Sequence, residues 1–177
     1  MSAPGLVIRP ARSGEASILT ELCIRAKAHW GYDSPFMTAA ARLLRIHEDE
    51  IGAGRVLTAL HGQDSATPSG VAVVAPLRRP GWCEISHLFV APECFGIGIG
   101  RALFQAAIGL AENQGARHVS ILSDPNAALF YAKLGARRCG EAPSGVARSR
   151  MLPLFEFAIA SRSATAPSPG SHKHRRA

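Results

Sequence analysis

Pro92-Glu93-Cys94-Phe95-Gly96-Ile97-Gly98-Ile99-Gly100-Arg101 alternates glycine with apolar residues just ahead of a run at helical spacing, Ile99, Leu103, Ala107 and Leu110. Glycine lets the backbone approach a bulky anion. The first amides of a helix have no partners inside it and carry the positive end of its dipole, so a diphosphate seated there would collect several N–H hydrogen bonds. Alternating glycines also serve the close packing of a helix on a sheet, and the loop alone does not choose between the two uses. A Walker loop would need Lys followed by Ser or Thr after its last glycine, where this chain has Arg101 and Ala102. A dinucleotide fold would place the loop after the first strand with an acid about 20 residues on. Here the loop follows a fourth strand, and Glu112 and Asp124 fit neither the spacing nor a strand end. The strand feeding the loop carries Glu84 and His87. A regular strand points them to opposite faces, and the imidazole, with an ordinary pKa near ~6.5, suits proton transfer at neutral pH.

These groups need a scaffold, and the apolar pattern supplies its order. Leu6 to Arg9 reads as a strand closed by Pro10; Ser13 offers a cap to a helix with Ile18, Leu19, Leu22, Cys23 and Ala26 on one face. Gly31 stops that helix, and Ser34-Pro35 starts a second one predicted to run to Asp49. Arg55 to Leu60 and Gly70 to Ala75 read as a hairpin about the polar segment His61 to Ser69, followed by the strand Trp82 to Val90. After the glycine loop and its helix come a strand at His118 to Leu122 and a short helix from Asn126 to Leu134 ended by Gly135. A last pair of strands follows, at Arg137 to Gly140 and Met151 to Phe157.

With 177 residues, 47% hydrophobic and 19% charged, the chain suits one folded domain, assigned to residues 1–159. No stretch reaches the ~20 apolar residues of a membrane helix, and Met1 to Ile8 lacks a basic region followed by a secretory apolar run, so cytoplasmic residence is expected. Of the formal charge of +7, Arg162, Lys173, Arg175 and Arg176 contribute +4. They sit in residues 160–177, a Ser/Pro-rich basic tail expected to be disordered, and the weakly charged body argues against nucleic-acid binding. Cys23, Cys83, Cys94 and Cys139 have neither CxxC spacing nor histidine neighbours in sequence, which argues for reduced thiols and against a metal site.

Leu88-Phe89-Val90-Ala91-Pro92 followed by Gly96-Ile97-Gly98-Ile99-Gly100-Arg101-Ala102-Leu103 resembles the acetyl-CoA signature of the GNAT superfamily of N-acetyltransferases. Phe95 departs from it, standing where the family usually has Arg or Gln. A second block, Asn126-Ala127-Ala128-Leu129-Phe130-Tyr131-Ala132-Lys133-Leu134-Gly135-Ala136, is similar to the family's Asn-x-x-Ala-x-x-Phe-Tyr-x-x-x-Gly-Phe, with shifted alanines and Ala136 for Phe. The likeness covers residues 6–157. It implies an α/β fold whose mixed, mostly antiparallel sheet is splayed between the Trp82 to Val90 and His118 to Leu122 strands to admit acetyl-CoA. It also implies acetyl transfer to a small-molecule or peptide amine, by a monomer or homodimer.

The resemblance distributes roles. Phe95, Gly96, Ile97, Gly98, Gly100 and Arg101 would hold the pyrophosphate, mostly through backbone amides, with Arg101 compensating for the departure at Phe95. Backbone groups of Leu88, Phe89 and Val90 would meet the thioester carbonyl, and Asn126 the pantetheine arm or the helix start. Only about one in ~2,500 primary amines with pKa near 10.4 is neutral at pH 7, so the amine needs help to attack. Glu84 occupies the position where many members carry a general base, able to act through one water. His87 is the rival, brought to the same side if the strand bulges as it tends to in this superfamily. Tyr131 matches the recurring tyrosine that would protonate the departing thiolate. Trp30, Tyr32 and Asp33, beside His29, would line the acceptor side and could hold a cation against aromatic faces. A noncatalytic acyl-CoA-binding regulatory module would keep the glycine loop without needing Glu84 or Tyr131.

Overall fold

In the computed structural model, which describes residues 5–62 and 67–160, the strands expected near the middle of the chain form the centre of a sheet. β1 (Leu6–Pro10) pairs with β2 (Val56–His61), β2 with β3 (Gly70–Pro76), and β3 with β4 (Trp82–Val90), all antiparallel. β5 (His118–Leu122) lies parallel to β4, and β7 (Met151–Ala158) runs antiparallel to both β5 and β6 (Arg137–Pro143). The seven strands follow the order β1-β2-β3-β4-β5-β7-β6, so the last strand inserts between β5 and β6. This is the mixed, mostly antiparallel sheet expected from the sequence.

β3 explains why the sheet sits between two layers. Val71, Ala72, Val73 and Val74 are all fully buried, which an apolar run achieves only when both faces are covered. Successive side chains alternate: Ala72 and Val74 pack with Leu103, Phe104 and Ala107 of α4 (Ile99–Asn113). Val71 and Val73 pack with Leu19, Leu22 and Cys23 of α1 (Ala16–Ala28), joined by Ala40 of α2 (Ser34–Leu43) and Ile51 of α3 (Glu48–Gly52). The short α5 (Ala128–Lys133) follows a one-turn 3₁₀ segment, Pro125–Ala127. A β-carbon at Gly70 would stand 2.7 Å from Leu103 Cδ1 and 3.1 Å from the Phe89 carbonyl oxygen. Gly70→Ala is therefore expected to overpack this layer and cost about 1–3 kcal/mol, read as a lower denaturant midpoint at unchanged slope. An unchanged midpoint would mean that the strand shifts freely.

The helix boundaries in the first half of the chain differ from the sequence expectation. Ser13 does not cap α1; the Glu48 carboxylate reaches across to accept from the N–H groups of Gly14 at 3.0 Å and Ala16 at 3.3 Å. The predicted second helix is two helices. α2 stops at Leu43, and α3 begins at a capping box in which the His47 N–H donates to Glu50 Oε2 at 2.9 Å. Between them Leu44 and Ile46 turn into the core, and the Ile46 N–H donates to Thr20 Oγ1. The acids Glu48, Asp49 and Glu50 thus favour a helix start where the spacing suggested a helix end. The basic tail expected for 160–177 lies, from residue 161 on, outside the described residues.

Candidate active site

The site begins with one extra residue. Val73 of β3 pairs with His87 and Val74 with Ile85, so Ser86 bulges out of β4. The bulge restores phase between Glu84 and His87, which then share the α1-facing side of the sheet while Cys83, Ile85, Leu88 and Val90 face α4. β4 and β5 pair only from Trp82–His118 to Glu84–Ser120, although they run on to Val90 and Leu122. Beyond Glu84 the strands part. A cleft of about 670 Å³ opens there, and its walls include Leu88, Phe89 and Val90 on one side and Leu122, Ser123 and Asp124 on the other.

The glycine loop closes one end, and its glycines do different work. Gly96 and Gly98 have φ of +81° and +95°, a left-handed backbone that side chains resist, and nothing lies within 4 Å of where their β-carbons would be. Gly98 is the cap of α4, and the first residues of that helix, whose amides have no partner within it, line the cleft. Gly100 instead lies against α5, where a β-carbon would meet the Phe130 ring at 3.2 Å. Anion access and close packing are both present, at separate positions. Arg101 and Lys133 add cations to this rim. Phe95 stacks on Trp30 with centroids 6.2 Å apart and meets the edge of His29 at 5.1 Å, so the loop is braced by aromatic rings from the end of α1.

Inside the cleft, Tyr131 is 6% exposed, its ring packed on Phe104, Phe130 and Phe155. Burial pushes its phenol pKa up, so the hydroxyl keeps its proton at neutral pH. His87 lines the cleft as well. Its Nε2 lies 3.1 Å from the Leu43 carbonyl, which only accepts, so that nitrogen carries the proton and Nδ1 is left to accept from the Ser86 hydroxyl at 3.1 Å. Burial lowers the His87 pKa and keeps the ring neutral. Glu84 does not line the cleft; it sits at the last β4–β5 pair, where burial raises its carboxyl pKa.

Residues 48–153, more than half of the chain, match the family model described as an acetyltransferase (GNAT) domain. The chain belongs to the GNAT acetyltransferase family. No curated protein matches it. Among solved structures it is similar to a GCN5-related N-acetyltransferase from Rhodopseudomonas palustris, at 20% identity and TM-score 0.67 over 90% of this chain and 99% of that one. It is also similar to the PaiA N-acetyltransferase of Thermoplasma acidophilum in complex with coenzyme A, at 19% identity and TM-score 0.67 over 87% and 99%. A GNAT acetyltransferase of Brucella melitensis in complex with acetyl-CoA matches at 18% identity and TM-score 0.60 over 88% and 89%. At such identities the likeness establishes the fold.

The GNAT cleft gathers most, though not all, of the residues singled out from sequence. Phe95, Gly96, Gly98, Gly100, Arg101 and Asn126 line it, as do Trp30, His87 and Tyr131. Ile97 is exposed beside it, and Asp33 is spent as the cap of α2, accepting from the Phe36 N–H at 2.8 Å. Tyr32 does not line the cleft and joins a cluster that was not expected from sequence. Asp124 Oδ2 accepts from Lys27 Nζ at 2.5 Å and from the Tyr32 hydroxyl at 2.7 Å, while Arg150 donates to that hydroxyl at 2.6 Å. Burial alone would raise the Asp124 pKa, but hydrogen bonds from Lys27, the Asn126 N–H and Tyr32 outweigh it and hold the group ionised. Lys27 continues the apolar stripe of α1, a signal that could have marked it; nothing local marks Arg150. Among the described residues no helix is long and apolar enough to cross a membrane, and no group of His, Cys, Asp and Glu could hold a metal.

Proposed function

We propose that this GNAT domain transfers acetyl from acetyl-CoA to a primary amine by direct attack in a ternary complex. The observation that carries the reading is the gap between β4 and β5, which opens at Glu84 and ends at the open, glycine-lined start of α4 with Tyr131 inside it. Acetyl-CoA fits these walls: amides at Gly96 and Gly98 with Arg101 and Lys133 suit the pyrophosphate, and the freed edge of β4 offers backbone groups to pantetheine and the thioester oxygen. The amine nitrogen forms its bond to the carbonyl carbon, the carbon–sulfur bond breaks, and sulfur leaves as a thiolate that takes the Tyr131 proton. The amine's own proton goes to a base on β4.

Glu84 suits that role through an intervening water, on the same face as His87, with a carboxyl whose raised pKa makes it a stronger base than an ordinary glutamate. One observation favours a second base: the Ser86 hydroxyl already donates to a neutral His87 Nδ1 at the cleft wall, a path by which the proton reaches imidazole. Glu84→Gln separates them. With Glu84 as base, kcat/KM falls by about 10² at neutral pH, and the deficit shrinks as rising pH deprotonates the amine unaided. The limb that reports Glu84, displaced upward from the ordinary carboxylate range because Glu84 must lose its proton to act, disappears in the variant and leaves that of the amine. If Glu84→Gln matches the parent while His87→Asn loses the activity, the base is His87. A noncatalytic acyl-CoA-binding module would bind the thioester and be indifferent to all of these changes in any turnover assay.

A further inference from the structure

Tyr32, one of the aromatic faces expected to hold a cation, is already occupied by the protein's own cations. Tyr32 and Phe36 stack with centroids 4.4 Å apart. Lys27 Nζ lies 5.0 Å from the Tyr32 centroid and 5.9 Å from that of Phe36; the Arg150 guanidinium carbon lies 4.9 Å and 5.1 Å from the same two. Two cations thus share one nearby acid. Asp124 is committed to Lys27, to Tyr32 and, through Oδ1, to the N–H and side-chain amide of Asn126, and it stands 4.0 Å from Arg150. Lys27 and Asp124 line the cleft, and Arg150 stands next to Asp124 just outside that lining. The Arg150 side chain is 26% exposed and gives one N–H to Tyr32, which leaves further donors of its fork free for a ligand among the described residues. Asp33, the acid expected to attract a cation, is occupied at the α2 cap.

Resting on the acetyl-transfer reading above, we propose that the acceptor is a carboxylate-bearing amine of amino-acid type, its carboxylate received by Arg150 with Lys27 beside it while its amine faces β4. Lys27 and Arg150 against Asp124 leave this cluster with one positive charge in surplus, which disfavours a simple cationic amine and favours a partner that brings its own anion; guanidinium and carboxylate match as a planar, two-bond pair. Tyr32 and Phe36 hold the guanidinium carbon 4.9 and 5.1 Å from their ring centroids, which limits how far the fork can swing.

The test compares the twenty L-amino acids, each with its carboxamide, as acceptors by free-thiol release in the parent, Arg150→Gln and Arg150→Lys. The expected result is an accepted amino acid preferred over its amide by about tenfold or more in kcat/KM. That ratio should collapse toward one in Arg150→Gln and be partly restored in Arg150→Lys, with the difference in KM. Equal use of acid and amide by the parent, or a ratio unmoved by Arg150→Gln, overturns the proposal. Calorimetric titration of the coenzyme A complex with the corresponding N-acetyl amino acids and N-acetyl amides reads carboxylate recognition without turnover. If no amine is acetylated, the catalytic reading fails, and tighter binding of the acids, lost in Arg150→Gln, still supports the anion site. Equal binding of acids and amides overturns it. If Arg150→Gln instead weakens acetyl-CoA itself, the cations serve the donor and the proposal is wrong.

Discussion

Tyr131→Phe is expected to lower turnover by roughly 10² to 10⁴ while acetyl-CoA binds nearly as well, because the substitution removes the proposed proton donor and leaves the packing. The ring is held by Phe104, Phe130 and Phe155, contacts that phenylalanine keeps. Burial holds the phenol protonated well above neutral pH, so the parent donor is available throughout the pH range in which amines are assayed. Steady-state kcat beside calorimetric acetyl-CoA affinity checks this. Parent-level kcat in the variant would remove the phenol from the mechanism, and a parallel loss of affinity would mark a structural role.

Gly98→Asp abolishes acetyl-CoA binding at accessible concentrations. A carboxylate about 4 Å from the pyrophosphate at an effective dielectric near 20 repels it by roughly 4 kcal/mol, on the order of 10³-fold in affinity. The side chain would also enter the open space over the cap of α4, at a backbone angle of +95° that costs a non-glycine residue about 1–2 kcal/mol. Gly98→Ala isolates that strain: it lowers the melting temperature but adds no charge. The parent gains thermal stability from acetyl-CoA by mass action, and the aspartate variant, folded without it, does not. An undiminished shift in Gly98→Asp would place the cofactor elsewhere.

Local pattern was enough for the central elements and for the glycine-lined end of the cleft. β4 and β5 run over the residues expected because each is an apolar stretch bounded by turn residues, and the loop between β4 and α4 is dense in glycine. What depends on distant chain was hidden. The insertion of β7 between β5 and β6 depends on pairing preferences that no short window carries. The cap of α1 comes from Glu48 and the break after α2 from burial of Leu44 and Ile46, both settled by packing across the domain. At the proposed acceptor wall the residue types Trp30, Tyr32 and Asp33 suggested a cation cage. Only three dimensions bring Lys27, Asp124 and Arg150 together and turn that wall positive.

Free-thiol release measured together with mass detection of the N-acetylated product, across a broad amine panel that includes the amino acids, tests the central claim most directly. Direct transfer requires one thiol for each acetylated amine, saturable in both substrates and strongly reduced in Tyr131→Phe. Tight acetyl-CoA binding with no acetylated amine anywhere in the panel would contradict it and make the protein an acyl-CoA-binding module.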